Sequence, residues 1–275
     1  MSPLPTKTLQ LFFSPSTVLA LSRRGWRGQL ARTHRYAVPD DSGDESWQAA
    51  LPTLALAVKE FDCAAVRVRL SHHFVQYRVL PWRSELRGDD EYMALAELEF
   101  SSAFGALAKD WTLALSDERP GASRVAAALP TELLSALGST VASAGARLTS
   151  VQTYLSGAEA LWQQRGARKG CHWLVMHEPG RVCFGVRQNG NWRWLRHARV
   201  GADWVWQLPQ LLASEAMLAD LESTTTAVQV FAPSADPQER QALQGLGFGL
   251  LAPANGRGFM AQRDALFAPA WSAWC

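Results

Sequence analysis

The sequence has 275 residues, of which 48% are hydrophobic and 19% charged, and a formal net charge of +2. That is enough chain for two lobes or one large domain with ample core material, and it excludes an intrinsically disordered protein. The near-balanced charge predicts no strong field for nucleic acid or anionic lipid. Arginine dominates the 27 basic residues, a bias that a GC-rich bacterial genome explains without a partner-binding role. Tryptophan is abundant, with 12 residues, and several are expected at lobe or partner contacts because the indole is large and carries an N–H. Cys63, Cys171, Cys183 and Cys275 are far apart and form no CxxC. No disulfide framework is expected in a chain of this size, so a reducing compartment is the default. No apolar stretch approaches the roughly 18 to 20 residues of a membrane span. The run after Lys7 loosely imitates a secretion signal, but Ser14-Pro15-Ser16 interrupts it as a hairpin turn does.

Two short strands, Leu9 to Phe13 and Thr17 to Ser22, flank that turn. Gly25-Trp26-Arg27-Gly28 makes a second turn, and Gln29 to Val38 reads as a third strand. The acidic, polar stretch 39–45 is a loop. Ser46 to Phe61 is helical, with Trp47, Leu51, Leu54, Val58 and Phe61 on one face; Pro52 is early enough to be tolerated. Ala65 to Leu70 alternates Val66, Val68 and Leu70 against Arg67 and Arg69, a strand with one wet face. Phe74 to Leu80 is expected to be its hairpin partner.

Arg83 to Asp90 is a charged linker, and Glu91 to Leu107 a helix. Trp111 to Ser116 and Arg124 to Leu129 read as a hairpin around Asp117-Glu118-Arg119-Pro120-Gly121. A helix follows from Thr131 to about Ala144, ending at Gly145. Arg147 to Thr153 is a strand, and Ser156 to Arg165 a short helix with Ser156 as its cap. The short basic segment Gly166 to Gly170 marks a lobe boundary.

Trp173 to His177, Arg181 to Arg187 and Trp192 to His197 form a second three-strand meander, with Asn189-Gly190 as the best hairpin signal in the chain. A helix (Ala202 to Asp220), a strand (Ala227 to Ala232) and a helix (Asp236 to Leu246) follow. The tail is expected to be irregular and closes on Trp271 and Trp274.

A three-strand meander, a helix and a strand thus occur twice. The order predicts two related α/β lobes of a ribonuclease-H-like or actin-like, two-lobed architecture. The first lobe spans 1–165, with an inserted helix–hairpin–helix subdomain at about 89–146. The second, shortened lobe spans 166–275.

Such folds cradle phosphates with backbone N–H groups in two hairpin turns, with acidic side chains nearby to organise a metal. The first turn here, Ser14-Pro15-Ser16-Thr17, has no Asp and no Gly. The second, His177-Glu178-Pro179-Gly180-Arg181, also carries a proline. Each proline removes a donor, which argues against phosphoryl transfer and disfavours ATP as a cofactor. There is no GxxxxGK[ST] and no GxGxxG after a strand. Adjacent His72 and His73 face opposite sides of a strand. Cys171, His172, His177 and Cys183 match no zinc spacing, so no metal is expected. No G-x-S-x-G elbow is present, and no catalytic residue is assigned. Arg67, Arg69 and Arg78, with Arg193, Arg196 and Arg199 beside Trp192 and Trp194, offer a surface for single-stranded nucleic acid. A solvated sheet face with arginine stems over aromatics is the better account. The first strands hold no Asp or Glu, which excludes a ribonuclease-type site.

The element order resembles the actin-like assembly proteins of type IV pilus and type II secretion machines, the PilM-like family. Four segments carry the resemblance: LSHHFVQYRVLPW (Leu70 to Trp82), the charged run into the helix Glu91 to Leu107, AALPTELLSAL (Ala127 to Leu137) and GARLTSVQTYLSGAEALW (Gly145 to Trp162). The resemblance implies a non-catalytic cytoplasmic scaffold, peripheral to the inner membrane, that binds the cytoplasmic tail of a membrane-platform protein and, in the secretion relatives, an assembly ATPase. Trp82, Tyr92, Phe100 and Phe104 are the candidate partner-binding walls of a groove between the first sheet and the inserted unit, since aromatic anchors dominate peptide recognition. The chain departs from the family in lacking a membrane span and the phosphate-cradle residues, and it is shorter. An active actin-like ATPase or a single-stranded nucleic-acid binder is the alternative.

Overall fold

The computed structural model describes residues 7–24, 29–39, 46–163, 170–221, 227–253, 259 and 264–271. The elements open with β1 (Thr8–Phe13), β2 (Thr17–Arg24), β3 (Gln29–Ala37), α1 (Trp47–Phe61), β4 (Ala65–Leu70) and β5 (Gln76–Leu80). Next come α2 (Asp89–Phe104), a 3-10 turn (Gly105–Asp110), β6 (Trp111–Leu115), β7 (Arg124–Pro130), α3 (Thr131–Ser143), β8 (Arg147–Thr153) and α4 (Tyr154–Gln163). The chain continues with β9 (Cys171–Glu178), β10 (Arg181–Gln188), β11 (Asn191–Arg199), α5 (Trp204–Leu218), β12 (Ala227–Phe231), α6 (Pro237–Gly245) and β13 (Gly249–Leu250). A 3-10 turn (Ala265–Phe267) and α7 (Ala268–Trp271) close it.

Contacts divide the chain into two compact units. Unit 1 is Met1–Phe74, Thr131–Leu161 and Ala252–Cys275; unit 2 is Val75–Pro130 and Trp162–Leu251. The expected turn at 25–28, the loop at 40–45, the lobe boundary at 165/166, with residues 166–169 of its linker, and Trp274 lie outside the described residues.

Unit 1 holds a five-stranded sheet in the order β3-β2-β1-β4-β8. β1 pairs antiparallel with β2 and parallel with β4, and β4 pairs parallel with β8. Unit 2 holds β11-β10-β9-β12-β13, with the same antiparallel meander and parallel continuation. The duplicated layout expected from the sequence is therefore present, strand for strand. A third, antiparallel sheet, β5-β7-β6, belongs to unit 2.

The local reasons are legible. Ser46 caps α1 by accepting the Gln48 N–H, which satisfies one of the donors a helix start leaves open. Ala50, Leu54, Ala57, Val58 and Phe61 are buried along it, and the helix packs on β1 and β2. Burying Leu54, Val58 or Phe61 stabilises by about 1.5–3 kcal/mol each. The paired helix α5 carries the same internal signature. Trp47 and Trp204 open their helices, and Leu51-Pro52 and Leu208-Pro209 follow at identical spacing. Each proline is the sixth helical residue, where it forfeits one backbone bond without ending the helix. In α6, Asp236 and Glu239 form a reciprocal capping box with Pro237 at the first helical position. Asn189 and Gly190 both have positive φ, 52° and 85°, as a two-residue type I′ hairpin requires.

Several expectations are corrected. β5 is not the hairpin partner of β4. Both edges of β4 are taken by β1 and β8, so β5 pairs with β7 instead. Helix α3, assigned by sequence to the inserted subdomain, packs on α1 and β8 in unit 1. The wet face of β4 is covered: Arg69 is only 1% exposed, and its guanidinium donates to the Pro269 carbonyl of α7 and to Gln152 Oε1 at 3.4 Å. The tail expected to be irregular supplies that cover. α2 begins at Asp89 rather than Glu91, with three acidic residues in its first turn, where the macrodipole favours them. α4 begins at Tyr154, so Ser156 lies inside it and donates to the Thr153 carbonyl.

Gly185 in β10 is fixed by packing. A Cβ there would lie 2.7 Å from Trp192 Cζ3 and 3.1 Å from Leu195 Cδ2, and Trp192 is 1% exposed. Gly185→Ala is expected to destabilise by about 1–3 kcal/mol, the usual cost of overpacking. Gly138→Ala in α3, where a Cβ meets nothing within 4 Å, is expected to be neutral or to stabilise by about 0.5–1 kcal/mol. Urea unfolding of the two variants side by side checks the pair.

Candidate functional site

The two hairpin turns come first, because the fold brings a phosphate there if it binds one at all. In the β1–β2 turn Ser14 is buried. Its Oγ accepts the Thr17 N–H at 3.1 Å and donates to the Thr17 carbonyl at 2.8 Å. The Ser14 N–H is also spent on that carbonyl. Pro15 has no N–H, so Ser16 alone keeps an uncommitted backbone donor in this turn. In the β9–β10 turn Pro179 again lacks a donor, and Gly180 takes φ 81°, the glycine conformation of a type II turn. Glu178, beside it, is 3% exposed. A proline in each turn interrupts the row of N–H groups that an anion nest needs.

The chemistry-bearing side chains near the second turn are built into the core of unit 2. His177 stacks on Trp204 at 3.8 Å between centroids and 8° between planes. Burial lowers the His177 pKa from 6.5 to about 4, so the imidazole is neutral near pH 7. Trp204 donates its indole N–H to Glu239 Oε1 at 2.7 Å, while Glu239 Oε2 accepts the Asp236 N–H of the capping box. Burial pushes the Cys183 thiol well above its ordinary pKa, with Glu178 and Glu215 adding to the effect. Cys183 is therefore a protonated core residue and no nucleophile. His72, in unit 1, is buried edge-on to Tyr154.

The four aromatic residues singled out from the sequence all lie in unit 2. Tyr92 and Phe100 are 3% and 0% exposed, in a core cluster with Leu80, Ala96, Ala126 and Ala128. Buried there, they are not walls of a groove. Tyr92 has a second task, because its hydroxyl accepts the Arg83 N–H at 3.0 Å and ties down the linker after β5. Phe104 is partly buried against the same cluster and packs on Trp111 at 4.9 Å. Trp82 is 46% exposed. Of the four, Phe104 and Trp82 are the ones that a partner could touch in this conformation.

The arginine-rich surface resolves differently from the sequence reading. Trp192 is buried, with its carbonyl accepting the Ser123 hydroxyl at 2.6 Å, so it stacks on no ligand. Trp194 and Arg196, on β11, converge on Glu215 of α5. The indole N–H reaches Glu215 Oε2 at 2.9 Å and the guanidinium reaches Oε1 at 3.3 Å. Glu215 is 5% exposed, and it went unnoticed in the sequence. Its signal was there: it is the single charged residue in the 15-residue helix. Arg78 of β5 lies over the Phe104 ring at 5.0 Å, and burial lowers its pKa. Arg78, Val79, Arg193, Trp194, Leu195 and Arg196 line a cleft of about 360 Å³. A second hollow of about 200 Å³, sharing Arg78, Leu195 and Arg196, reaches Tyr77, Phe104 and His197.

No family model matches this sequence, and no curated protein matches it. The fold has close structural counterparts. A chain of a PilM–PilN type IV pilus biogenesis complex superposes with a TM-score of 0.69 at 12% identity, covering 97% of this chain and 96% of that one. A protein of actin-like ATPase fold and unknown function from Bacteroides thetaiotaomicron gives 0.64 at 11% identity, over 95% of both chains. The fold is actin-like. The cytoplasmic domain of EpsL, an inner-membrane component of the type II secretion system of Vibrio cholerae, gives 0.54 at 10% identity, covering 93% of this chain and 99% of that one. These actin-like structures share the two-lobed α/β architecture expected from the duplicated meander. Among the described residues no helix is long and apolar enough to cross a membrane.

Proposed function

We propose that this actin-like chain is a non-catalytic scaffold of a type IV pilus or type II secretion assembly platform, and that it holds the cytoplasmic tail of a membrane-platform protein. The observation that carries the non-catalytic part is the pair of hairpin turns. Each has a proline, which carries no N–H, and the first spends the Ser14 and Thr17 N–H groups internally, leaving that of Ser16. Phosphoryl transfer depends on preorganised donors and a metal-organising carboxylate, and the first turn, Ser14 to Thr17, has no carboxylate of its own. The assembly assignment draws on the likeness to a pilus biogenesis complex and to an inner-membrane secretion component over nearly the whole chain. In this reading the protein works in the cytoplasm, peripheral to the inner membrane through its partner, and an assembly ATPase is a further candidate partner.

Capture experiments test the proposal. The purified chain is incubated with the cytoplasmic tails of the pilus and secretion membrane proteins encoded in the same genome. Retention of one tail, with no nucleotide added, is the expected result. Retention of none would remove the scaffold role.

A further inference from the structure

Unit 2 contains two sheet edges that approach without joining. β5 is an edge strand of β5-β7-β6, and β11 is an edge strand of β11-β10-β9-β12-β13. They are in contact, with Tyr77 and His197 meeting edge-on at 5.2 Å, yet no ladder pairs them among the described strands. The cleft along this seam is cationic. Arg78, Arg193 and Arg196 line it, and its walls hold no carboxylate. Glu215 behind the wall is already engaged by Trp194 and Arg196, and Glu99 of α2 acts on Arg78 through space without an ion pair, which leaves Arg193 as the cation with no acidic partner among the described residues. Arg193 is exposed and forms no ion pair among the described residues. Arg78 has no ion-pair partner among them either; its planar group is held over Phe100 and Phe104 and donates to the Tyr77 carbonyl at 3.0 Å.

We propose that the β5–β11 seam binds an extended acidic peptide, with carboxylates on Arg78, Arg193 and Arg196 and an apolar side chain against Trp194 and Leu195. Charge complementarity selects the occupant: guanidiniums present forked donors that match carboxylates. A sheet edge favours an extended backbone, the usual way a peptide adds to an exposed strand. Trp194 and Arg196 are held in place by Glu215, so the site is preorganised and loses little freedom on binding. A stacked single-stranded nucleic acid fits less well, because Trp192 is buried and the whole chain carries only a small net charge. The inference rests on the scaffold reading for the kind of partner, and it adds the chemistry of the tail and its place.

The test uses the full chain and a named probe, an acetylated hexapeptide alternating Glu with Val and Leu, alongside its Lys counterpart. Binding is followed by tryptophan fluorescence at low and moderate salt. The acidic peptide is expected to bind, to weaken as salt screens the charges, and to bind at least tenfold more weakly to Arg193→Glu and to Arg78→Gln. Arg193→Glu is an exposed substitution, and circular dichroism checks that both variants fold. Equal binding of the Lys peptide, an unchanged affinity in Arg193→Glu, or displacement by inorganic phosphate at equal concentration overturns the proposal. Repeating the tail capture with Arg193→Glu separates this inference from the scaffold reading. A tail held equally by both proteins defeats the cleft and leaves the scaffold standing. If no tail is held while the acidic hexapeptide still binds, the scaffold fails and the cleft survives.

Discussion

Replacing Trp204 with alanine is expected to lower the stability of unit 2 by about 3–5 kcal/mol, the largest single-residue effect anticipated here. Three losses coincide at this position. The indole is 2% exposed and belongs to the main core cluster of the unit, with Val175, Phe184, Leu208 and Leu243. It stacks on His177. It also donates to Glu239, and without it that oxygen loses its partner beside the cap of α6. Leaving a polar group short of a partner adds to the cavity cost. Trp206, two residues on and 69% exposed, is the control: Trp206→Ala is expected to change stability by less than about 0.5 kcal/mol. Chemical unfolding followed by circular dichroism reads both, and equal behaviour of the two variants would show that α5 is not anchored through Trp204.

The second large effect is a dependence on acid. His177 has a folded-state pKa of about 4, depressed from 6.5 by burial. Between those values the unfolded chain binds a proton that the folded chain refuses. Stability from this group is therefore complete above about pH 6.5, falls as the pH drops, and levels off below about 4. Each pH unit costs at most about 1.4 kcal/mol, which gives about 2–3 kcal/mol between pH 7 and pH 4.5. His177→Phe keeps a ring against Trp204 and removes the proton site. Its stability is expected to fall between pH 7 and pH 4.5 by about 2–3 kcal/mol less than that of the wild type. Parallel pH profiles for the two proteins would mean that His177 is already free to take up its proton in the folded state.

The strand skeleton was legible because its signals are local. Ser14-Pro15-Ser16 and Asn189-Gly190 each act within a few residues, and the structure realises both as hairpin turns. The partner of β5 was not legible, because nothing in Gln76–Leu80 says that both edges of β4 are occupied by β1 and by β8, the latter some eighty residues on. Arg69 read as a solvated side chain for the same reason: its cover, α7, lies about 200 residues away. The repeat of Trp47…Leu51-Pro52 in Trp204…Leu208-Pro209 was readable in principle. It lies in the helix that follows the third strand of each meander, and a search for helix signatures, rather than strand patterns alone, finds it. The candidate partner-binding aromatics show the limit of composition arguments. Tyr92 and Phe100 are as apolar as Trp82 and Phe104, and helical spacing cannot separate a core stripe from a docking stripe when the helix has almost no amphipathic contrast. α2 is such a helix, with Glu91, Glu97 and Glu99 scattered among its aromatics.

The proposed scaffold role pairs an actin-like fold with two hairpin turns that hold no nucleotide. Calorimetric titration of the full chain with Mg-ATP tests it most directly. The expected result is no saturable heat up to millimolar nucleotide, with an unchanged melting temperature, since a ligand that binds the folded state must raise it. Saturable binding with a micromolar dissociation constant, abolished by substitutions at Ser14 or Gly180, would contradict the account.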